Sequence, residues 1–196
     1  MTKLRGLIVC AGAASLLALA APATALGPVH HQTERATVHG AVTALAVRGE
    51  VGQIVVRPGA VTRIVATEQY NLEAPRLVHS LRHGVLRVSA PCPRTTGIVD
   101  LGLNDCAVDF VVTVPRSVTV DARDSVGNIR VRDIRGTERL STDVGDIEVT
   151  VPAGTYAVHL HTDIGDTRVR GITQSADAAR MLSARTDTGD IRITGR

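Results

Sequence analysis

From residue 38 onward the chain alternates apolar and polar positions in short runs of Val, Ile, Leu and Thr, broken by Gly, Pro, Asn and Asp. A period of two belongs to a strand with one buried face, so this pattern predicts strand after strand. Only residues 174–181 (QSADAARM) have helical character, and they predict a single turn of helix or a loop. Within the pattern one phrase returns. Val126-Gly127-Asn128-Ile129-Arg130-Val131 recurs as Val144-Gly145-Asp146-Ile147-Glu148-Val149, as Ile164-Gly165-Asp166-Thr167-Arg168-Val169 and as Thr188-Gly189-Asp190-Ile191-Arg192-Ile193. The glycines are 18, 20 and 24 residues apart. A period near 20 is that of a stacked repeat array, which presents a long surface rather than a catalytic pocket.

Aligned on these glycines, the repeats form columns. Ala122, Leu140, Leu160 and Ala184 stand five residues before Gly; Ile129, Ile147, Thr167 and Ile191 stand two after; Val131, Val149, Val169 and Ile193 stand four after. The last two columns share one strand face and predict the core side. Arg130, Glu148, Arg168 and Arg192 fall between them and point outward. Each unit is then strand, tight Gly-Asp or Gly-Asn turn, strand, and only stacking buries its apolar face. A looser copy, Val51-Gly52-Gln53-Ile54-Val55-Val56, lies upstream, and residues 84–88 match in part. Phe110, Tyr70 and Tyr156 are the only Phe, Tyr or Trp residues. That suits a narrow interior of Val, Ile, Leu and Ala.

The N-terminus does not fit this pattern. A short basic start (Lys3, Arg5), an uncharged apolar run over residues 6–21 and Ala23-Thr24-Ala25 predict a secretory signal peptide over 1–25, helical and cut after Ala25. An uncleaved membrane anchor is the other reading, since the run approaches spanning length. Cys10 lies inside the apolar run after Val9, which is not a lipoprotein arrangement. Residues 26–36 lack periodicity and predict a flexible lead, His30 and His31 included. Residues 37–196 form one repeat β domain with no second apolar run long enough to span a membrane. Loss of Lys3 and Arg5 leaves 22 − 2 = 20 basic against 19 acidic residues, so the whole-chain charge of +3 falls to +1. Every remaining cation but histidine is arginine. The two signs interleave along the chain, which argues against a nucleic-acid footprint.

Cys92 and Cys106 remain after processing, an even count that predicts a disulfide in an exported chain. The bridge would contribute about 3 kcal/mol by loop entropy. The cysteines share the parity of Val88 and Ala90 on one side and of Val108 and Phe110 on the other. The acid-rich turns Asp143-Val144-Gly145-Asp146, Asp163-Ile164-Gly165-Asp166 and Asp187-Thr188-Gly189-Asp190 put carboxylates in columns about 4.8 Å apart. Three things can offset their repulsion: calcium held by those six aspartates, the arginines three residues after Gly, or hydrogen bonds from the local backbone in turns whose glycines (Gly52, Gly127, Gly145, Gly165, Gly189) supply positive φ. His159 and His161 share one outward face but have no third metal ligand in view. No G-x-S-x-G, H-E-x-x-H or P-loop is present, so no catalytic set is assigned.

Thr142 to Val149 and Thr186 to Ile193 both read T-D-x-G-D-I-x-V or its close variant. This phrase resembles the bacterial putative adhesin domain family, of unknown function and related to the toast-rack domains of envelope-stress proteins. Residues 43–47 and 52–59 look like that family's opening strands, and residues 106–115 resemble its actinobacterial members. The resemblance spans about residues 37–196. It implies an all-β, repeat-built, right-handed β-solenoid-like (toast-rack) domain without catalytic residues. The expected function is that of an exported, non-enzymatic surface or secreted binding module. Its partner would be a cell-surface, wall or protein ligand. The alternative is an extracytoplasmic envelope sensor acting through a membrane partner.

Overall fold

The structure, a computed structural model, describes residues 28–93 and 105–196. The predicted signal peptide, with Cys10, lies outside the described residues. Among the described residues there are strands and turns but no helix.

Five strand pairs carry the repeats: β2 (Ala44–Arg48) with β3 (Ile54–Pro58), β8 (Thr119–Val126) with β9 (Ile129–Arg132), β10 (Glu138–Val144) with β11 (Ile147–Val151), β12 (Thr155–Ile164) with β13 (Thr167–Arg170), and β15 (Met181–Thr188) with β16 (Ile191–Gly195). In each pair the chain runs up one strand, turns at the glycine and enters a different sheet. The remaining strands are β1 (His30–Thr37), β4 (Arg63–Tyr70), β5 (Val78–Arg82), β6 (Val85–Ser89), β7 (Cys106–Val114) and β14 (Thr173–Gln174). Two mixed eight-stranded sheets result, neither closed into a barrel. The first is ordered β1-β4-β7-β3-β9-β11-β16-β13 and the second β14-β12-β15-β10-β8-β2-β6-β5. Repeat strands pair in parallel, whereas β1, β4 and β5 are antiparallel to their neighbours.

The predicted columns are the observed register. Ile54, Ile129, Ile147, Ile191 and Thr167 stand side by side across the first sheet. Ala122, Leu140, Ala184 and Leu160 do so across the second. The core lies between the sheets, where those four isoleucines and Val47, Ala122 and Phe110 are almost wholly enclosed.

One expectation is corrected and one left open is decided. Residues 26–36 are not a flexible lead throughout: from His30 the chain is strand, with eight residues of β1 paired to β4. The pairing satisfies the edge of β4, and Ala36 packs on the core while its neighbours face water. Residues 174–181, expected as a turn of helix or a loop, take the loop form: the end of β14, a turn and the first residue of β15. The physical reason is the stacking order. β15 and β16 slot between β10/β11 and β12/β13, so the fourth repeat is inserted between the second and the third. The chain must therefore double back past the foot of β12, and β14 and the following turn make that crossing. Arg180 closes it, its guanidinium 4.4 Å from the Tyr156 ring centroid and hydrogen-bonded to the Tyr156 hydroxyl at 3.1 Å.

Candidate binding surface

The glycine turns stack into one edge of the molecule, in the order Gly52, Gly127, Gly145, Gly189, Gly165. Each glycine N–H donates to the carbonyl of the residue before the next glycine, as Gly127 does to Val144 and Gly145 to Thr188, both at 2.8 Å. The contact is backbone on backbone. Gly145 has φ 144°, and a Cβ there would run into the Gly127 carbonyl. The turn thus needs glycine both for its dihedral and for its close approach.

The residue after the turn glycine holds the next turn in register at Asn128, Asp146 and Asp190. The Asp146 N–H donates to Asn128 Oδ1 at 2.8 Å, Asp190 N–H to Asp146 Oδ1 at 2.8 Å and Asp166 N–H to Asp190 Oδ1 at 2.9 Å. The side chains therefore bond the backbone of a neighbouring turn, not their own. Asn128 is interchangeable with Asp in this role, which explains the departure at that position. Outer oxygens of Asp166 and Asp190 face Arg168 and Arg192 at 3.6 and 3.9 Å. The first aspartates lie on the outer face of the second sheet. Asp163 pairs with His161 at 2.8 Å, and Asp187 with Arg185 at 3.1 Å. Asp143 has a neighbouring place in that row. Among the described residues no group of three or more His, Cys, Asp or Glu is placed to hold a metal ion. His159 and His161 are both exposed on β12, as their alternation predicts.

A threonine column completes the turn edge. Thr142 Oγ1 donates to the Gly127 carbonyl at 3.1 Å, Thr186 to Gly145 at 3.0 Å and Thr162 to Gly189 at 2.9 Å. Asp124 occupies the same column beside Thr142. Its Oδ1 accepts from the Ser125 N–H at 3.0 Å, while its buried Oδ2 has no partner. Burial pushes its carboxyl up to about 6, against the Ser125 bond that lowers it. Glu138 sits alone in the apolar interior between Val120 and Leu182, with burial pushing it up to about 8. Glu68 on β4 is also raised, first by burial and then by Glu34. These three acids sit on three different strands and line neither of the clefts described below. They do not form the paired carboxylates that an acid–base mechanism requires.

Two surface features were not read from the sequence. Immediately before each turn glycine stands an exposed residue: Val51, Val126, Val144, Thr188 and Ile164, in that spatial order. Ile164 is 68% exposed, so the turn edge carries an apolar ridge between two columns of carboxylates. That column was visible in the repeat alignment, where apolar residues at a turn were the clue.

The second feature is the sorting of charge. Opposite signs interleave along the chain, yet the register of the first sheet separates them into rows on its outer face. One row runs Asp109, Gln53, Asn128, Asp146, Asp190, Asp166. The next holds Arg35, Arg130, Arg192 and Arg168 with a single acid, Glu148. The third holds Arg63, Arg57, Arg132 and Arg170, with Arg57 and Arg132 side by side and threonines between the others. Near β1 and β3 this face hollows into an open cleft of about 780 Å³ lined by Arg35, Arg57, Arg63 and Thr113 and by the turn after β3. A smaller cleft of about 290 Å³ lies on the second sheet near Arg48 and Arg87. The sequence placed Arg130, Glu148, Arg168 and Arg192 in one outward column but could not bring Arg35 and Arg63 into line with the repeats, because that depends on how β1, β4 and β7 pair.

The predicted disulfide is present. Cys92 and Cys106 are bonded with their Cα atoms 5.9 Å apart, tying the chain beyond β6 to the start of β7.

No protein-family model matches this sequence, and no curated protein does. In fold the chain is similar to a putative cell adhesion protein from Clostridium sporogenes ATCC 15579, with a TM-score of 0.51 and 13% identity over 85% of this chain and 100% of the other. It is more distantly similar to a putative adhesin from Bacteroides fragilis NCTC 9343, with a TM-score of 0.40 and 11% identity over 85% and 97% of the two chains. A putative adhesin from Parabacteroides merdae ATCC 43184 gives a TM-score of 0.41 and 14% identity over 83% and 80%. The likeness to the Clostridium protein is one of fold alone.

Proposed function

We propose that this chain is an exported, non-enzymatic binding module of the adhesin-like kind, acting at the cell surface or as a secreted protein. The observation that carries the reading is the sorting of exposed side chains into straight rows across an eight-stranded face. Such a face offers one chemistry repeatedly over a distance, which suits an extended ligand. The three shifted acids lie on three different strands and line neither cleft, so no catalytic role is proposed for them. The toast-rack solenoid architecture and kinship with actinobacterial adhesin-like proteins belong to this proposal, as do the signal peptide and its cut after Ala25. Asp146 and Asp190 enter it as register elements of the turn edge, since their Oδ1 atoms accept backbone N–H groups of the neighbouring turns.

Saturable retention of the labelled protein on intact cells or matrix of its own source is the test. Retention at a constant level per cell is expected. Absence of retention on cells, wall material and matrix alike would end the binding-module reading.

A further inference from the structure

We infer that the arginine-rich outer face of the first sheet, from β1 to β9 and centred on the cleft, binds a linear polyanion carrying phosphate or carboxylate groups along its length. This inference rests on the binding-module reading and names the ligand chemistry of that surface.

Arg63, Arg57 and Arg132 share one row with Thr37 and Thr113. The register places Arg132 one step beyond the Val56–Val131 pair. Strands are spaced about 4.8 Å apart, so the row from β1 to β9 spans roughly 19 Å. Arg35 lies in the adjacent row, two residues along its strand, and lines the cleft with Arg57 and Arg63. No Asp or Glu lines that cleft.

Counter-charge divides the face into two parts. Arg130, Arg168 and Arg192 each have a carboxylate within 4 Å. Among the described residues Arg35, Arg57, Arg63 and Arg132 have none, and neither does Arg170, which stands apart from them on the last strand, β13. Four like charges held this closely repel one another unless an anion joins them. Arg57 is also oriented: its Nε donates to Thr113 Oγ1 at 3.3 Å, and the two terminal nitrogens form no other hydrogen bond. A guanidinium fork of this kind matches phosphate or carboxylate in a bidentate manner.

The shape and the surroundings favour a polymer over the other polyanions. A bilayer would take a basic face that also carries apolar wedges. Here the cleft carries a single well-exposed valine, Val61, while the exposed row of Val126, Val144 and Ile164 lies on the turn edge, beside the acidic row. Single-stranded nucleic acid calls for aromatic platforms. The arginine rows hold none, and Tyr70, at the far end of β4, is stacked on His30 with centroids 5.5 Å apart. A flexible chain of regularly spaced anions needs neither.

The experiment measures binding of the full chain to long-chain polyphosphate and to polygalacturonate, with neutral dextran, inorganic phosphate and phosphatidylglycerol vesicles alongside. Expected is binding to both polymers that falls steeply between about 50 and 200 mM salt. Arg57→Gln with Arg63→Gln should weaken it about tenfold and flatten the slope of log K against log salt by roughly 1.4, two cations at about 0.7 each. The control, Arg168→Gln with Arg192→Gln, removes two carboxylate-paired arginines and should change affinity less than twofold. Circular dichroism checks that each variant folds. Failure of both polymers to bind, equal loss in the control, or binding confined to vesicles would overturn the inference. Undiminished retention of the Arg57→Gln, Arg63→Gln chain on cells would overturn the arginine face but leave the binding module standing. Polymer binding by a chain that no cell, wall or matrix retains would leave the face standing without the module.

Discussion

A buried carboxylate oxygen with no hydrogen-bond partner is costly in its charged form, and among the described residues Glu68, Asp124 and Glu138 carry that cost. Glu138 is enclosed by apolar strands on both sides, and its folded pKa of about 8 lies well above the ordinary 4.5. Between these values the folded chain keeps a proton that the unfolded chain has released. Stability therefore falls as pH rises from about 4.5 to 8, at about 1.4 kcal/mol for each pH unit. Glu138→Leu, which matches its neighbour Leu182, should raise the melting temperature at pH 8 and flatten its pH dependence; a melt at pH 5 and 8 checks this. Asp124 has the same sign over the window from 3.8 to about 6. Its column supplies the remedy. Asp124→Thr should place a hydroxyl against the Gly52 carbonyl, as the other three threonines do one turn along, and stabilise the fold at pH 7 by about 1 kcal/mol or more. Denaturant unfolding measures the gain. At this scale the sequence was partly legible. The turn role of Gly145 and Asp146 followed from residue type, but the bond from Asp146 to Asp190 did not, because it joins residues far apart in the chain.

At the scale of the element, strand positions and facing were legible because apolar residues alternate with polar ones along each strand. Ile147 and Glu148 show it: one enclosed, one exposed, as the columns require. The order of stacking was not legible. Parallel strands of similar sequence pair almost equally well on paper, and nothing local says that β16 rather than β13 lies beside β11. Thr167 held a clue. In a stack in sequence order it would interrupt the isoleucine column in the interior. In the observed order it ends that column, on the outermost strand, where a polar residue caps the core. This yields a paired prediction. Ile147→Asp should unfold the domain by burying an unpaired charge, whereas Thr167→Asp should leave the melt within a few degrees. Two soluble, equally stable variants would show the register to be wrong, and two unfolded ones would restore sequence order.

At the scale of the whole molecule the fold is unevenly charged: acids and an apolar ridge along the turn edge, unpaired arginines along the far rows of one face. Composition concealed this, since near-neutral totals say nothing about sorting. The two cysteines that follow the apolar N-terminal run did reveal the covalent tie between β7 and the chain beyond β6. Reduction of Cys92–Cys106 should cost about 3 kcal/mol and lower the melting temperature by several degrees; melts with and without reductant measure it, and superimposable curves would remove the bridge from the account of stability. The central claim, that this chain is a surface binding module, is tested most directly by cross-linking the purified protein to intact cells of its own source and identifying what it retains. Recovery of anionic wall or matrix polymer, diminished by added salt, is the predicted result. Recovery of one membrane protein and no polymer would contradict it and turn the reading toward an envelope sensor.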